Sequence, residues 1–270
     1  MIKELTYEET KKFIPMMERD KSLNIFFLNN YKLYTFGKDY KVYHTKGILM
    51  MWFRSISFVL FSYDCFNSEE VSDFISSKKP ISINGPKVAL LPLEGKLKGE
   101  WSVSFSPMMA INKESYKKCV NRSDNLSFLL TYEDFLETAE LYSKDEDFAS
   151  GFETEEKRDN WAIRMEEEME YPFAACGYRI KHRLIGTAYL SAATKESAMV
   201  VGVLVDKDWR GGGIGTQLVQ EITDIGLCDH LIKTLCLFPS DERAKHIYSK
   251  IGYKEVGEYA FFKNKDLKSN

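Results

Sequence analysis

Apolar residues at helical spacing predict two helices early in the second half of the chain. The first prediction covers residues 132–142, where Phe135, Ala139 and Tyr142 fall on one face. The second helix is predicted to open with a capping box, in which Ser150 is followed three residues later by Glu153. Its predicted inner face contains Trp161, Met165 and Met169.

Apolar runs bounded by polar turns then predict three successive antiparallel strands, over 174–180, 184–191 and 198–205. A helix beginning near Gly213 follows, because apolar residues recur with a period of three to four. Its predicted stripe is Ile214, Leu218, Ile222 and Ile225.

The pattern continues with a short buried-type strand over 233–238 and a helix over 241–250. Ser240 is predicted to cap that helix and Gly252 to end it. Its predicted buried face is Ala244, Ile247, Tyr248 and Ile251. The last segment, 253–263, is predicted to supply the closing strands of this half.

The first half is similarly mixed. A helix is predicted over 7–19, strands over 40–43, 48–53 and 58–63, and a helix over 68–77. A polar segment, 113–125, separates the two patterned halves as a linker would. We therefore expect one domain over 1–125 and another over 126–270.

Composition and charge narrow the function. The 270 residues are 44% hydrophobic, which suffices for two buried cores. Residues 131–270 carry 18 basic and 26 acidic side chains, against 19 and 14 in residues 1–130. Because the second half is acidic, we do not expect it to bind nucleic acid. Its negative charge instead suits a cationic acceptor such as an amine. A merely solvated acidic surface is the alternative.

Membrane and metal signals are weak. The polar N-terminus predicts no signal peptide, and the apolar segment 47–61 is interrupted by Arg54 and shorter than a membrane helix needs. Four scattered histidines form no ligand set, so no metal is expected. The cysteines contain no C-x-x-C pair, and we interpret them as free thiols in a reducing cytoplasm. They are Cys65, Cys119, Cys176, Cys228 and Cys236.

The clearest chemical motif is Arg210-Gly-Gly-Gly-Ile-Gly215, between a predicted strand and a predicted helix. Glycines let the backbone approach an anion, and a helix start adds unpaired N–H donors. A dinucleotide fingerprint is excluded because Thr216 or Leu218 stands where its last glycine belongs. A P-loop is excluded because Gly-Lys-Ser/Thr is absent. What remains is R-x-x-G-x-G, with a plain surface turn as the alternative.

A second motif follows at a fixed distance. Asp241, Ala244, Tyr248 and Gly252-Tyr253 recur along the last predicted helix. Together the two motifs resemble the signatures of the GCN5-related N-acetyltransferase (GNAT) family, in which Asn stands at the position of Asp241 and Phe at that of Tyr253. The resemblance implies an α+β fold of three-layer type, with a mixed, mostly antiparallel sheet flanked by helices. It also implies transfer of an acetyl or other acyl group from acetyl-CoA to a primary amine.

The resemblance also implies roles for individual residues. Backbone N–H groups of the glycine loop would bind pyrophosphate and Arg210 would anchor the loop. The strand end would pair with pantetheine, with a backbone N–H near Val203 polarising the thioester. Tyr248 would protonate the departing thiolate, although a pure packing role is the alternative. The full predicted set is Val203, Leu204, Val205, Arg210, Gly211, Gly212, Gly213, Ile214, Gly215, Thr216, Asp241, Ala244 and Tyr248.

Two questions stay open in the sequence. The strand that often carries a glutamate base in the family has none here. A base could instead come from the acidic helix end, directly or through water, with a solvated face as the alternative interpretation; its residues are Glu166, Glu167, Glu168 and Glu170. A CoA-binding regulatory protein therefore competes with an active transferase on a small-molecule or peptide amine, and acyl-CoA hydrolysis is a weaker third. Because two-lobed family members exist, the first half is hypothesised to be a degenerate copy of the fold; the alternative is an unrelated cap.

Overall fold

Two units make up the chain in the computed structural model, which describes residues 1–117, 123–167, 169 and 173–267. The first unit contains Met1–Met109 together with Glu255–Asn270, and the second contains Ala110–Lys254. The division therefore differs from the expected single boundary near Asn125, because the end of the chain belongs to the first unit.

The last strand accounts for this correction. Lys254–Asn264 (β12) pairs antiparallel with Ser82–Pro86 (β5), with Phe261 opposite Asn84. Ala260 and Phe262 are buried in the hydrophobic core of the first unit. Strand pairing is non-local, so its partner could not be read from the position of residues 253–263 next to the preceding helix.

The first unit has a five-stranded run of β1-β2-β3-β4-β5, to which β12 and then β6 are added. The pairs β1–β2, β2–β3 and β3–β4 are antiparallel, whereas the pair β4–β5 is parallel. Its elements are β1 (Lys3–Glu4), α1 (Tyr7–Lys11), α2 (Ile14–Met17), α3 (Ile25–Leu33), β2 (Tyr40–Thr45), β3 (Ile48–Phe53), β4 (Ser57–Ser62), α4 (Ser68–Ser77), β5, α5 (Lys87–Leu90) and the start of β6 (Trp101–Asn112).

The predicted strands and the helix at 68–77 of this unit are confirmed to within two residues at each boundary. The single helix over 7–19 is wrong. It is split into α1 and α2, followed by a 3₁₀ turn, because Pro15 at the start of α2 has no N–H to continue a preceding helix. Sequence reasoning missed α3, whose all-round apolar character obscures a helical stripe.

The second unit has strand order β11-β10-β9-β8-β7. All neighbours are antiparallel except β10 and β11, which are parallel. Helices flank this sheet, so the predicted α+β class and the mixed, mostly antiparallel sheet are confirmed. The elements are β7 (Leu126–Phe128), α6 (Tyr132–Tyr142), α7 (Glu155–Glu167), β8 (Ala174–Ile180), β9 (Arg183–Ser191), β10 (Ser197–Val205), α8 (Ile214–Asp224), β11 (Thr234–Leu237) and α9 (Glu242–Ile251).

Packing follows the predicted stripes, while two predicted helix caps are wrong. Ile214, Leu218, Ile222 and Ile225 are all buried. Helix α7 begins at Glu155 rather than at a Ser150 box, with the Lys157 N–H donating to the Thr154 hydroxyl at 3.2 Å. Asp241, not Ser240, caps α9, and its carboxylate accepts the Ala244 N–H at 2.7 Å. In both cases an acceptor one to four residues closer to the first helical turn satisfies the free N–H groups.

The two units repeat one order of elements. Each runs strand, helices, three antiparallel strands, helix, and a strand parallel to the last of these three. Helix α4 therefore corresponds to α8, and β4 to β10. This repeat supports the hypothesis that the first half is a second copy of the fold. None of the helices in the described part of the chain combines the length and apolarity that a bilayer span requires.

Candidate active site

A cavity of about 600 Å³ opens in the second unit where β10 and β11 stop pairing. The last parallel pair is Met199 with Cys236, after which β10 continues to Val205 while β11 ends at Leu237. Leu204 and Val205 therefore lie beyond the last described pair of β10 with β11. All the predicted site residues except Gly212 line this cavity: Val203, Leu204, Val205, Arg210, Gly211, Gly213, Ile214, Gly215, Thr216, Asp241, Ala244 and Tyr248.

The glycine loop leaves the start of α8 open. Gly211 has φ of +93° and Gly213 has φ of +82°, which residues with a Cβ rarely adopt. No side chain caps α8, and its first turn carries no acidic residue. The first N–H groups of the helix and the positive end of its dipole therefore face the cavity, an arrangement that favours an anion.

The corresponding helix of the first unit shows the opposite arrangement. The Asn67 side chain caps α4 by accepting the N–H groups of Glu69 and Glu70, both at 3.1 Å. Those two glutamates place carboxylates in the first turn. Because its free donors are already satisfied and its first turn is negatively charged, the α4 terminus is unsuited to an anion.

Arg210 anchors the loop. Its Nε donates to the carbonyl oxygen of Val205 at 2.8 Å, and its guanidinium forms an ion pair with Asp145 at 2.5 Å. The Asp145 side chain is 14% exposed, so this pair is only partly screened by water. The arginine therefore holds the strand end, the loop and the segment after α6 together, while its charge is largely balanced by Asp145.

Tyr248 lines the cavity. The residue is buried, and no described residue forms a hydrogen bond with its hydroxyl. Burial, with a smaller contribution from the carboxylate of Asp241, raises the pKa of Tyr248 to about 12. The hydroxyl is therefore protonated at neutral pH and available as a proton donor.

The neighbouring Tyr253 has a different environment. Its ring packs 6.1 Å from that of Tyr248, and its hydroxyl hydrogen-bonds with the Thr223 hydroxyl at 2.8 Å inside the core. Tyr253 is therefore an aromatic residue of the core, and its hydroxyl has a partner there.

A β-bulge interrupts β10 beside the cavity. Val201 is opposite Tyr189 and Leu204 is opposite Thr187, so β10 has one more residue than β9 in this interval. Gly202 and Val203, which lie between these pairs, take no part in the described strand pairs and both line the cavity. Val203 is therefore a half-buried residue of the cavity wall that lies within the bulge.

The candidate base on α7 is not supported by its surroundings. The Glu166 carboxylate accepts the Tyr132 N–H at 2.9 Å and so caps α6, while Glu167 is exposed. Glu168 and Glu170 lie outside the described residues. Neither Glu166 nor Glu167 lines the cavity.

Sequence reasoning missed several lining residues. Asp147, Phe148, Trp209 and Arg243 also face the cavity. The carboxylate of Asp147 and the guanidinium of Arg243 have no ion-pair partner among the described residues. These residues lie in loops or on an exposed first turn, where periodicity carries no signal; only their closeness in sequence to the two motifs could have singled them out.

Cysteines and acidic clusters add no further chemistry to this site. Cys65, Cys176, Cys228 and Cys236 form no disulfide bond, and Cys119 lies outside the described residues. Within the described ranges no group of three or more His, Cys, Asp or Glu side chains is arranged to hold a metal ion.

Comparison with known proteins agrees with this geometry. Residues 133–253 match the model of the acetyltransferase (GNAT) family. Residues 133–253, in the second half of the chain, therefore contain a domain of the GNAT family. No curated protein matches the sequence significantly.

Solved structures extend the likeness to the whole chain. A GCN5-related N-acetyltransferase from Sphaerobacter thermophilus has a TM-score of 0.64 at 13% identity, over 97% of this chain and 94% of its own. Another from Kribbella flavida has a TM-score of 0.61 at 13% identity, over 84% and 90%. A tandem GNAT protein from the clavulanic acid biosynthesis pathway has a TM-score of 0.57 at 8% identity, over 100% and 99%. These likenesses establish a shared tandem fold.

Proposed function

We propose that this protein transfers an acetyl group, or another acyl group, from acetyl-CoA directly to a primary amine. The observation that carries the proposal is the presence of an open helix terminus and a protonated tyrosine hydroxyl in one cavity, at the point where two parallel strands separate. The first feature suits the phosphates of CoA, and the second suits a departing thiolate. The acyl-transfer family supports the reaction class.

Binding of acetyl-CoA is assigned to the backbone of the glycine loop. N–H groups from Gly211 to Thr216, including Gly212 and Ile214, would hold the pyrophosphate, and Arg210 would keep the loop in place. Arg243, which lines the cavity and has no ion-pair partner among the described residues, would complement the remaining phosphate charge. Backbone groups of Leu204 and Val205, which lie beyond the last described β10–β11 pair, would pair with pantetheine, and Ala244 leaves room beside it.

The proposed chemistry is a single displacement. The amine nitrogen forms a bond to the thioester carbonyl carbon as the carbon–sulfur bond breaks. The Val203 N–H donates to the oxygen on which negative charge develops. Tyr248 gives its proton to the leaving sulfur, and the proton lost by the amine returns to the tyrosine through water.

Removal of the amine proton is assigned to water rather than to a side chain. Among the described residues, the carboxylates on the cavity wall are Asp145, Asp147 and Asp241. The first pairs with Arg210 and the third caps α9, which leaves Asp147 to attract a cationic amine into the cavity. Positioning of the two reactants then contributes much of the rate.

The acceptor is proposed to be a small-molecule or peptide amine, and the protein is proposed to act in the cytoplasm, where free thiols persist. We also propose that catalysis belongs to residues 126–270. The segment 1–125 would then be a lobe without its own acyl-CoA site, because Asn67 and its two neighbouring glutamates occupy the corresponding helix start.

The test combines calorimetry with thiol release. Acetyl-CoA should bind the wild type, and binding should be lost in the double variant Arg210→Ala, Gly213→Asp. A panel of amines should then reveal release of CoA thiol. Binding without release for any amine would replace the transferase with a CoA-sensing protein, and absence of binding would overturn the site itself.

The tyrosine has a matched control. Tyr248→Phe should lower kcat by about a hundredfold or more with little change in acetyl-CoA affinity, because general acids contribute on that scale. Tyr253→Phe removes the hydroxyl of a neighbouring buried tyrosine and should leave kcat almost unchanged. Equal effects of the two variants would show that Tyr248 only packs.

A further inference from the structure

Two buried hydroxyl groups converge on one backbone carbonyl behind the cavity. The Tyr142 hydroxyl donates to the Gly202 oxygen at 2.9 Å, and the Thr187 hydroxyl donates to the same oxygen at 3.0 Å. The two hydroxyl oxygens are themselves 3.1 Å apart. A carbonyl has two lone pairs, so these contacts saturate the Gly202 oxygen.

Neither hydroxyl belongs to the cavity wall. Tyr142 ends α6 and is 1% exposed, and Thr187 lies in β9 and is fully buried. Burial raises the pKa of Tyr142 well above its usual range, which keeps its hydroxyl a donor. Its ring stacks on Phe148 at 4.7 Å, which in turn lines the cavity. The donors therefore approach Gly202 from the protein interior.

The direction of the Gly202 carbonyl also determines the direction of the Val203 N–H. The carbonyl of Gly202 and the N–H of Val203 belong to one planar trans peptide, in which they point in opposite directions. Because the carbonyl points to the buried hydroxyls, the N–H points away from them. The bulge leaves Val203 outside the described strand pairs, and the residue lines the cavity.

Glycine is required at the centre of this arrangement. Gly202 has φ of +63°, and a Cβ there would overlap the Tyr189 ring and the Tyr142 hydroxyl. The backbone thus adopts a conformation that residues with side chains avoid, and it can do so because the surrounding contacts fix it. The two hydrogen bonds to its carbonyl oxygen are the contacts that hold this peptide in place.

We infer that Tyr142 and Thr187 are positioning residues that fix the Gly202–Val203 peptide with its N–H toward the thioester oxygen. The inference rests on the proposed function, since it deepens the role given to Val203. It requires no contact between either hydroxyl and the substrate. The hydroxyls act through the orientation of one peptide bond, and their removal allows that peptide to rotate.

The first test uses Thr187→Val, which keeps the shape of the side chain and removes its hydroxyl, and Tyr142→Phe. With ¹⁵N-valine labelling, the Val203 amide of the wild type should shift more with acetyl-CoA than with CoA, which lacks the carbonyl. In the variants this difference should disappear, together with the preference of the protein for acetyl-CoA over CoA in calorimetry. Thr187→Ser retains a hydroxyl and should restore both.

Kinetics supply the second test. Loss of one oxyanion donor costs about 10²–10³ in kcat, and we expect misorientation of that donor to lower kcat about tenfold while KM for acetyl-CoA changes less than twofold. Tyr178→Phe is the control. The hydroxyl of this buried tyrosine accepts hydrogen bonds from the side chains of Ser123 and Asn125, and the residue does not line the cavity. It should leave kcat unchanged.

The outcomes separate two kinds of failure. If Thr187→Val folds and retains the wild-type kcat, amide response and acetyl-CoA preference, the positioning role is wrong. If wild type acetylates no amine but its Val203 amide response is lost in the variants, the peptide orientation stands and the proposed transferase function fails. Should Tyr142→Phe not fold, the comparison of Thr187→Val with Thr187→Ser decides alone.

Discussion

Two glycines of the R-x-x-G-x-G motif should respond in opposite ways to replacement by alanine. Gly213 has φ of +82° and precedes α8, whereas Gly215 lies within α8. A Cβ at Gly213 would meet no atom within 4 Å, so its cost is conformational alone, about 1–2 kcal/mol for a left-handed alanine. A Cβ at Gly215 would make an ordinary 3.6 Å contact with Val205, and alanine in a helix should stabilise by about 0.5–1 kcal/mol.

The two variants should therefore differ by roughly 2 kcal/mol in free energy of unfolding. With a urea dependence of about 2 kcal/mol per molar, their midpoints should lie about 1 M apart on opposite sides of the wild type. Hydrogen exchange in peptides from α8, measured across the urea series, reports on the second unit separately. A shift of both midpoints in the same direction would refute the backbone argument.

The same pair tests anion binding. If pyrophosphate approaches the backbone at Gly215, the added methyl group should weaken acetyl-CoA binding by about tenfold although the protein has become more stable, since one lost charge-assisted hydrogen bond is worth about that much. Calorimetry at matched ionic strength measures this. Unchanged affinity in Gly215→Ala would exclude close approach of the ligand at this residue.

Three further predictions concern the same unit. The pKa of Tyr248 is about 12, against 10.0 for an exposed tyrosine, so its contribution to stability is complete below pH 10 and is lost as pH rises toward 12. The free energy of unfolding of the wild type, relative to that of Tyr248→Phe, should therefore fall by about 3 kcal/mol over that range, as measured by denaturation at each pH. Arg210→Lys keeps the charge but cannot donate both to the strand end and to Asp145, so acetyl-CoA affinity should fall about tenfold in titrations; an unchanged value would show that charge alone suffices. Gly202→Ala, which places a methyl group against the Tyr142 hydroxyl at positive φ, should destabilise the second unit by about 3 kcal/mol or more, and a normal melting temperature would contradict the described packing.

The proposed function places an anion site in the second unit and none in the first. The difference lies at the start of one helix. The cap of α8 is Gly213, and no side chain bonds the first N–H groups of that helix. The cap of α4 is Asn67, and Glu69 and Glu70 lie in its first turn. The same supporting sheet therefore presents either a site for phosphate or a closed, negatively charged terminus, according to three residues.

Local patterns in the sequence determined most of the second unit. Apolar spacing predicted its helices and strands, and the stripe that begins at Ile214 is buried as expected. The two motifs predicted the residues that line the cavity, because glycine at positive φ and the tyrosine on α9 are needed for reasons that operate over a few residues. These predictions depend on neighbours in sequence, which a single chain displays directly.

Tertiary structure alone decided the remaining features. The pairing of β12 with β5 joins residues about 175 positions apart, so the position of the last strand was predicted in the wrong unit. The ion pair between Arg210 and Asp145, and the two hydroxyls on Gly202, likewise join different elements. Such contacts depend on how strands register and helices pack, and no periodicity within one segment encodes them.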